Sequence, residues 1–491
     1  MLKENVNSIC FYSENPRFAN RTMIVTDEGR TFTYAEVADL ENRIYASLPS
    51  RSLVIQLCKN HPASIAGYLG ALRKGHVPLL VDDALSIDKL QGLIEAYKPN
   101  ALFVPLEQKA QILAGLSLSG ISSGELSQEE HEGYVLLHLA EEAPSMHAEL
   151  ALLLSTSGST GSPKLIRLSA RNLQANAESI AEYLEINGSE RPITTLPMEY
   201  TFGLSVINSH VLKGATLLLT DRTFFDREFW DFFTAEEATT FSGVPYSFQL
   251  LKKLHFEDMQ LPSLRVITQA GGKLPADLQE FYGRIAGEKN VRFYIMYGQT
   301  EATARMSYLP WTDVIRKAGG IGIAIPGGRF ELQNVNHEII NEPDVPGELI
   351  YYGANVSLGY ASTAEDLQIG DSNHGRLATG DLASRDSEGY FYIVGRLKRF
   401  LKVAGKRLSL DSMEKILTAH WPELTFVCCG KDEDVRIYPV GNESTPGTPA
   451  TDEICRFLAE SVGIHHTAFH AKYISEIPRN PAGKILYSEL S

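Results

Sequence analysis

The chain has 491 residues, of which 44% are hydrophobic and 21% are charged, and its formal net charge is -15 at pH 7. This length exceeds what one hydrophobic core usually organises, so at least two domains are expected. An acidic chain repels the phosphate backbone of nucleic acids, which argues against a nucleic-acid-binding function. The five cysteines lack the density of a disulfide framework and the spacing of a thiolate metal site, so reduced thiols are expected.

Targeting and membrane signals are missing from the sequence pattern. The amino-terminal residues do not combine a positive stretch with an apolar run, and no segment approaches about 18 uncharged apolar residues. The sequence therefore predicts no signal peptide, no membrane span and a cytoplasmic location.

Strands and helices alternate in the first part of the chain. A hairpin is predicted over residues 23–34, after which Thr33 and Glu36 form the capping box of a helix with an apolar stripe. Alternating strands and helices follow at 53–57, 62–73, 77–81, 87–97 and 101–104. This alternation predicts an α/β domain with parallel-rich sheets flanked by helices.

The rest of the chain predicts a surface connection, a small β region and a second domain. Residues 120–149 are acidic and weakly periodic, so a surface connection is expected there. Short strands near 347–353 and 390–394 indicate the β region. Beyond Gly395, helices at about 411–420 and 451–461 and strands at 425–428 and 435–438 indicate a small α+β domain.

A loop rich in serine, threonine and glycine directly follows the apolar strand that includes Ala151. Its glycines allow backbone N–H groups to point at an anion, its hydroxyls add donors, and its lysine adds a positive charge. The loop is not a Walker A motif, because no Gly-Lys-Ser/Thr ends it. The residues predicted to bind phosphate are Thr156, Ser157, Gly158, Ser159, Thr160, Gly161 and Lys164.

Further segments follow this loop in a specific order. They are Tyr297-Gly298-Gln299-Thr300-Glu301, Gly347-Glu348-Leu349, Thr379-Gly380-Asp381, Gly395-Arg396, Lys402 through Gly405 to Arg407, and Pro481-Ala482-Gly483-Lys484. Over nearly its whole length the chain resembles the adenylate-forming superfamily of acyl- and aryl-CoA synthetases, peptide-synthetase adenylation domains and luciferases, and is most similar to the acyl- and aryl-acid ligases. The resemblance implies that a carboxylic acid and ATP give an acyl-adenylate and pyrophosphate. The acyl group then passes to the phosphopantetheine thiol of CoA or of a carrier protein, and AMP is released.

The resemblance also implies roles at the nucleotide. Tyr297 would stack on adenine, Thr300 would contact the α-phosphate, and Glu301 would bind Mg²⁺, which prefers hard carboxylate oxygens. Asp381, whose two oxygens can accept from both ribose hydroxyls, would bind the ribose. The remaining predicted nucleotide contacts are the bare backbone of Gly271, Gly272 and Gly298 and the side chain of Arg396.

Relatives in the superfamily use one site for two half-reactions. The resemblance therefore implies an adenylation core at 1–395, a hinge at 396–399 centred on Lys398, and a mobile carboxy-terminal lid at 400–491. Lys484 would bridge the attacking carboxylate and the nucleotide. Gly405 would border the pantetheine tunnel, since it adds no side-chain bulk.

The segment around Gly203 aligns with the wall of the acyl pocket. Tyr200, Phe202, Gly203 and Val244 are the predicted lining residues. Amino-acid-activating relatives have an aspartate at the position of Gly203 to pair with the substrate ammonium, so glycine disfavours an α-amino acid. Glu199 keeps that alternative open as a substitute carboxylate. A stand-alone adenylation enzyme for an amino acid, a luciferase-like oxidase and a non-catalytic relative are the competing interpretations.

Overall fold

The computed structural model describes residues 10–49, 51–118, 128–140, 142–155, 164–404, 406–443, 445, 447–479 and 485–490, apart from the side chains of Lys398, Phe400, Arg407 and Ser488. These residues form two compact units. The first contains 10–155, 164–329 and 351–377, and the second contains 330–350 and 378–490. No helix among the described residues is long and apolar enough to cross a bilayer.

The strands are numbered in chain order. They are β1 (Thr22–Thr26), β2 (Thr31–Thr33), β3 (Leu53–Cys58), β4 (Val77–Asp82), β5 (Ala101–Pro105), β6 (Gln128–His131), β7 (Tyr134–His138), β8 (Leu150–Ser155), β9 (Leu165–Ser169), β10 (Leu217–Leu219), β11 (Thr240–Gly243), β12 (Val266–Gln269), β13 (Arg292–Tyr297), β14 (Ser307–Leu309), β15 (Ile323–Ala324), β16 (Arg329–Gln333), β17 (Gly347–Tyr352), β18 (Gly359–Ala361), β19 (Arg376–Arg385), β20 (Phe391–Arg396), β21 (Phe400–Val403), β22 (Lys406–Ser409), β23 (Thr425–Lys431), β24 (Asp434–Val440) and β25 (Phe469–Ala471).

The α-helices are numbered in the same way. They are α1 (Tyr34–Ile44), α2 (Pro62–Lys74), α3 (Ile87–Tyr97), α4 (Lys109–Leu118), α5 (Ala170–Tyr183), α6 (Thr201–Leu212), α7 (Arg227–Ala235), α8 (Pro245–Lys253), α9 (Ala276–Glu288), α10 (Leu410–His420) and α11 (Thr451–Val462). The predicted capping box begins α1, because Thr33 Oγ1 accepts from the Glu36 amide and Glu36 accepts from the Thr33 amide.

The main sheet of the first unit has the strand order β18-β9-β8-β4-β3-β5-β7-β6. Its central strands β8, β4, β3 and β5 are parallel, and every residue of β3 is buried. Side chains of α1, α2, α5 and α6 cover one face, and side chains of α3 and α4 cover the other. Coverage of both faces is typical of parallel sheets, and it confirms the predicted α/β class.

One part of the sequence analysis was wrong about the first unit. Residues 128–138 are not a surface connection, because they form the antiparallel strands β6 and β7 at the edge of the main sheet. The run Tyr134-Val135-Leu136-Leu137 is buried between β5 and β6. A buried apolar run of four residues shows no alternation of polar and apolar residues. Because acidic residues flank this run, the sequence pattern did not indicate a strand there.

Two further sheets complete the first unit. One has the order β10-β1-β2, and the other has the order β11-β12-β13-β14-β15 with β11, β12 and β13 parallel. A separate hydrophobic cluster packs beside the second of these sheets. It includes Tyr183, Phe202, Val244, Tyr294 and Met296, with Tyr200 and Tyr308 partly buried against it.

The second unit is a set of small sheets with two helices. Its sheets have the orders β16-β17-β19-β20, β21-β22 and β23-β24-β25, and α10 and α11 cover the last. The unit contains residues 330–350 and 378–399 in addition to the described part of the predicted lid 400–491, and the predicted domain boundaries stay a prediction. The predicted hinge residue Lys398 lies in a short 3-10 helix, Leu397–Arg399, and its role stays a prediction.

Candidate active site

Three side chains of the first unit meet where the predicted phosphate loop ends. The ammonium nitrogen of Lys164 lies 3.5 Å from the centroid of the Tyr360 ring. The Tyr360 hydroxyl donates a hydrogen bond of 2.9 Å to Glu301 Oε1. Tyr360 therefore links the lysine predicted to bind phosphate to the carboxylate predicted to bind Mg²⁺.

Backbone pairing fixes these three residues. Lys164 immediately precedes β9, and β18 pairs with β9 so that Tyr360 lies opposite Ile166. The main chain of Glu301 is fixed by a hydrogen bond, because the Ser357 amide donates to the Glu301 carbonyl at 2.9 Å. The contact thus depends on the edge of the main sheet and not on the loop alone.

Tyr360 is protonated and available as a donor. Burial raises the pKa of its phenol, and the neighbouring Glu301 carboxylate raises it further. The residue is nevertheless 40% exposed, so its burial is only partial. Sequence analysis missed Tyr360, although an aromatic residue directly after Gly359 in a three-residue edge strand was an available signal.

Glu301 has the chemistry that a magnesium ion needs. Among the described residues no donor binds its Oε2 atom, which leaves one hard carboxylate oxygen for a cation. Thr300 and Glu301 begin a 3-10 helix, Thr300–Ala302, that directly follows Gln299. The residues present fit the predicted Mg²⁺ site, and its occupancy stays a prediction.

The Tyr297-Gly298 segment packs against the backbone that follows Glu301. A Cβ on Gly298 would lie 1.7 Å from the Ala304 carbonyl oxygen and 2.8 Å from Arg305 Cα. The Met306 amide also donates to the Tyr297 carbonyl at 2.8 Å. Only glycine fits this close approach, so the glycine of the motif serves packing as well as the predicted nucleotide contact.

The predicted nucleotide and acyl regions touch at Gly271. This glycine has φ +80°, and a Cβ there would lie 2.5 Å from the Tyr200 hydroxyl oxygen and 3.0 Å from Val244 Cγ1. Gln269 holds the turn by donating to the carbonyls of Ala270 and Gly272. The structure therefore brings together Gly271 and Gly272 with two predicted acyl-pocket residues.

Gly203 faces protein backbone. A Cβ added to it would lie 2.2 Å from the Pro197 carbonyl oxygen and 3.1 Å from that of Leu196. Helix α6 thus approaches residues 196–197 so closely that no side chain fits. Its predicted place in the acyl pocket stays a prediction, and the glycine has a packing reason that sequence analysis did not foresee.

Glu199 is the alternative ammonium partner that sequence analysis kept open. Burial, together with the smaller effect of the nearby Asp82, Asp83 and Asp221, raises the pKa of Glu199 to about 8. Its Oε2 atom is buried and accepts no hydrogen bond from the described residues. The pairing of Glu199 with a substrate ammonium group stays a prediction.

Arg305 is a buried residue that sequence analysis also missed. It lies between the 3-10 helix that contains Glu301 and strand β14, and it is 2% exposed. Its guanidinium carbon lies 5.0 Å from the centroid of the Phe202 ring. The signal in the sequence was an arginine within the weakly polar run Ala302-Thr303-Ala304-Arg305-Met306.

Asp381 and Arg396 form an ion pair inside the second unit. They lie opposite each other in β19 and β20, and Arg396 Nε donates to Asp381 Oδ1 at 2.5 Å. The aspartate side chain is 2% exposed, and the Asp381 amide donates to Thr379 Oγ1 at 3.1 Å. Arg396 thus orients the carboxylate that was predicted to bind ribose.

Several predicted residues lie outside the described part of the chain. They are Thr156, Ser157, Gly158, Ser159, Thr160, Gly161, Gly405 and Lys484. Their assignments to phosphate, thiol tunnel and adenylation chemistry stay predictions.

Comparison with known proteins identifies the family of the chain. The chain matches the AMP-binding enzyme family over residues 11–361. It is 26% identical to an indoleacetate–CoA ligase of Aromatoleum aromaticum, with 93% of this chain and 92% of that protein covered. It is also 26% identical to a feruloyl-CoA synthase of Amycolatopsis sp., with 96% of each chain covered.

The fold is shared with a solved structure, the ATP-bound MatB of Rhodopseudomonas palustris. The TM-score is 0.75 at 19% identity, and the alignment covers 98% of this chain and 97% of that one. This similarity confirms the predicted two-domain α/β architecture. The family match covers well over half of the sequence and includes Lys164, Glu301 and Tyr360. The chain therefore belongs to the AMP-binding enzyme family, which confirms its resemblance to the adenylate-forming enzymes.

Proposed function

We propose that this protein activates a carboxylic acid with ATP to an acyl-adenylate and then transfers the acyl group to the thiol of CoA. Membership of the AMP-binding enzyme family, together with relatives that are acid–CoA ligases, makes it an AMP-forming acid–thiol ligase. The observation that carries the proposal is the contact chain from Lys164 through Tyr360 to Glu301.

The first step joins two anions. A carboxylate oxygen attacks the α-phosphorus of ATP, a C–O–P linkage forms, and the bond to pyrophosphate breaks. Lys164 supplies positive charge for the phosphates, and the Tyr360 ring limits where its ammonium group can lie. Bound Mg²⁺, held by Glu301, would neutralise phosphate charge. Such prior positioning lowers the barrier because the charged groups need no reorganisation during reaction.

In the second step a thiol attacks the acyl carbonyl carbon. A thioester forms, the bond to the adenylate breaks, and AMP leaves. We propose that Asp381, oriented by Arg396, holds the ribose through both steps. Lys484, Gly405 and the hinge Lys398 are assigned to this cycle by the superfamily resemblance.

The acid has an apolar body in this proposal. The cluster that contains Phe202, Val244 and Met296, with Tyr200 against it, offers an aromatic and aliphatic wall. The similar ligases act on indoleacetate and on ferulate according to their names, and both of these acids carry rings. Aryl and arylalkyl acids are therefore the first class to test.

The test is ATP–pyrophosphate exchange with fatty, aryl, hydroxy and amino acids, each with and without CoA. The expected result is exchange with one class of non-amino acid and CoA-dependent release of AMP. Exchange that never leads to CoA-dependent turnover would redirect the second step to a carrier protein. Exchange only with amino acids would favour the amino-acid adenylation alternative, and no exchange with any acid would refute the proposal.

A further inference from the structure

The guanidinium of Arg305 is buried and has no counter-ion among the residues that the structure describes. Its Nη1 atom donates to the Tyr183 hydroxyl oxygen at 3.1 Å and to Met296 Sδ at 3.2 Å. Its Nε atom is buried and binds no acceptor among the described residues. No carboxylate of the described chain pairs with it. A buried cation that is left unpaired in this way is costly, which makes Arg305 a candidate to bind an anionic group of a ligand.

Arg167 shows what a structural buried arginine looks like in the same unit. It is 1% exposed, and its guanidinium nitrogens donate to the backbone carbonyls of Leu358, Tyr360, Ile369 and Gly370. All of its nitrogens therefore have strong acceptors. Arg305 has a phenol oxygen, a thioether sulfur and an aromatic face instead, and these are weak partners for a cation.

The titratable groups around Arg305 are neutral. Burial lowers the pKa of His210 to about 4, and the charge of Arg305 contributes to that shift. Burial raises the pKa of Tyr183, which Arg305 only partly offsets. Neither group supplies a negative charge at neutral pH, so the positive charge of Arg305 is not cancelled locally.

Arg305 lies where an acyl substrate is expected. Its contacts Tyr183, Met296 and Phe202 belong to the hydrophobic cluster that also contains Val244. Phe202 lies 6.4 Å from Tyr200, ring centroid to centroid, and Tyr200 in turn lies against Gly271. Gly298 of the nucleotide motif packs directly on Arg305 Cα. One continuous set of contacts thus joins Arg305 to both predicted regions.

We propose that Arg305 binds an anionic oxygen group at the end of the acid remote from the reacting carboxylate, so that the substrate is a dicarboxylic acid with an apolar body. This inference rests on the proposed function and names its substrate class. A carboxylate would satisfy the free guanidinium edge with charge-assisted hydrogen bonds, while the apolar body packs against Phe202 and Val244. A monoacid would leave the buried cation unpaired in the complex.

The test uses matched pairs of acids that differ only in the second carboxylate. Suitable pairs are hexanoate with adipate, and 3-phenylpropanoate with 3-(4-carboxyphenyl)propanoate. The full-length protein is expected to prefer the diacid of the best pair by on the order of 100-fold in kcat/KM for pyrophosphate exchange. Arg305→Met should abolish or reverse that preference, Arg305→Lys should keep part of it, and Arg265→Met, at an exposed arginine elsewhere, should leave it unchanged.

The preference is a ratio within one preparation, so it does not depend on the fraction of a variant that folds. Equal use of the two acids in a pair, or preference for the monoacid, would overturn the inference. The proposed function would still stand, because pyrophosphate exchange with either acid supports it. A diacid preference that survives in Arg305→Met would also overturn it. Absence of exchange with every acid would overturn the proposed function and this inference together.

Discussion

At the scale of single residues, Tyr360 does two things with one side chain. Its ring face contacts the Lys164 ammonium group, and its hydroxyl donates to the Glu301 carboxylate. The two charged groups have opposite signs and are kept apart by the ring. Substitutions that remove the hydroxyl and the ring separately can therefore assign each contact to a kinetic effect.

Tyr360→Phe is expected to lower the rate of pyrophosphate exchange by about tenfold, the cost of one hydrogen bond to a charged group. The apparent affinity for Mg²⁺ should fall, because Glu301 loses the donor that orients it. Tyr360→Leu also removes the ring beside Lys164, so the KM for ATP should rise as well. Exchange kinetics at varied ATP and Mg²⁺ concentrations measure both effects.

The control for this pair is Tyr473→Phe, which removes a hydroxyl that donates to the Pro449 carbonyl in the second unit. It should leave the exchange rate unchanged. Identical kinetics for Tyr360→Phe and wild type would show that the hydroxyl does not position Glu301. Identical kinetics for the phenylalanine and leucine variants would remove the role of the ring.

At the scale of elements, signals within the sequence were enough for most helices and strands of the core. The capping box at Thr33 and Glu36, and the alternation between residues 53 and 104, produced α1 to α3 and β3 to β5 as predicted. The buried strand β7 was missed, because a fully buried short strand has no polar face to reveal its period.

The candidate site was predictable only where a motif is contiguous. Lys164 and Glu301 were recognised inside local patterns, whereas Tyr360 contacts Glu301 across 59 positions of the chain. Arg305 is a candidate site residue because it is buried beside Phe202, and no local sequence pattern indicates that burial. Long-range contacts and desolvation are properties of the fold, so these two residues required the structure.

The short 3-10 helix at Leu397–Arg399 follows one ion-paired arginine and ends at another. Arg396 is paired with Asp381, while Arg399 is paired with Asp411 at 2.5 Å and with Glu414 at 2.6 Å. The predicted hinge residue Lys398 therefore lies in the short stretch between these anchors. Its function as a hinge stays a prediction.

The packing of α6 gives a prediction about Gly203. Gly203→Ala and Gly203→Asp are both expected to destabilise the protein by about 2 kcal/mol or more, because any Cβ meets the Pro197 backbone. Gly287→Ala, in α9, is the matched control, since an added Cβ there meets nothing within 4 Å. It should be neutral or slightly stabilising.

Denaturant unfolding of the three variants measures these changes in the free energy of unfolding. If Gly203 instead faced an open acyl pocket, Gly203→Ala would unfold like wild type and only its substrate preference would change. That outcome would restore the pocket role predicted from the sequence.

At the scale of the whole molecule, the formal charge of -15 counts every carboxylate as ionised. Burial raises the pKa of both Glu41 and Glu199 to about 8, with the charge of Arg73 opposing the shift at Glu41. Burial therefore opposes the ionisation of these two carboxyls, and the stability of the folded protein depends on their protonation.

The contribution of Glu199 to stability is expected to fall as pH rises from about 5 to about 8, because the folded state holds a proton there that the unfolded chain has already released. The ordinary carboxyl pKa of 4.5 and the raised value of about 8 at Glu199 set this window. Glu199→Gln keeps the shape without the titration, so the unfolding temperature of wild type should fall relative to that of the variant as pH rises across this window.

The groups that face Glu199 are Asp82, Asp83, Asp221 and the buried thiol of Cys58. Asp221→Asn removes only a neighbouring charge. It should therefore leave most of the dependence of the unfolding temperature on pH unchanged. If the unfolding temperatures of Glu199→Gln and wild type depend equally on pH over this window, the Glu199 carboxyl is ionised in the folded protein.

The pairing of β18 with β9 has a consequence for the protein as it is synthesised. The ribosome releases Lys164 and β9 early, but the strand that covers the outer edge of β9 follows far downstream, and Arg167 reaches the Tyr360 carbonyl across 193 positions. Until then β9 is an open edge, a template for association with other chains. Since Tyr360 lies on that late strand, Lys164 and Glu301 are linked only once the sheet is closed, so a truncated chain lacks both the edge cover and the link.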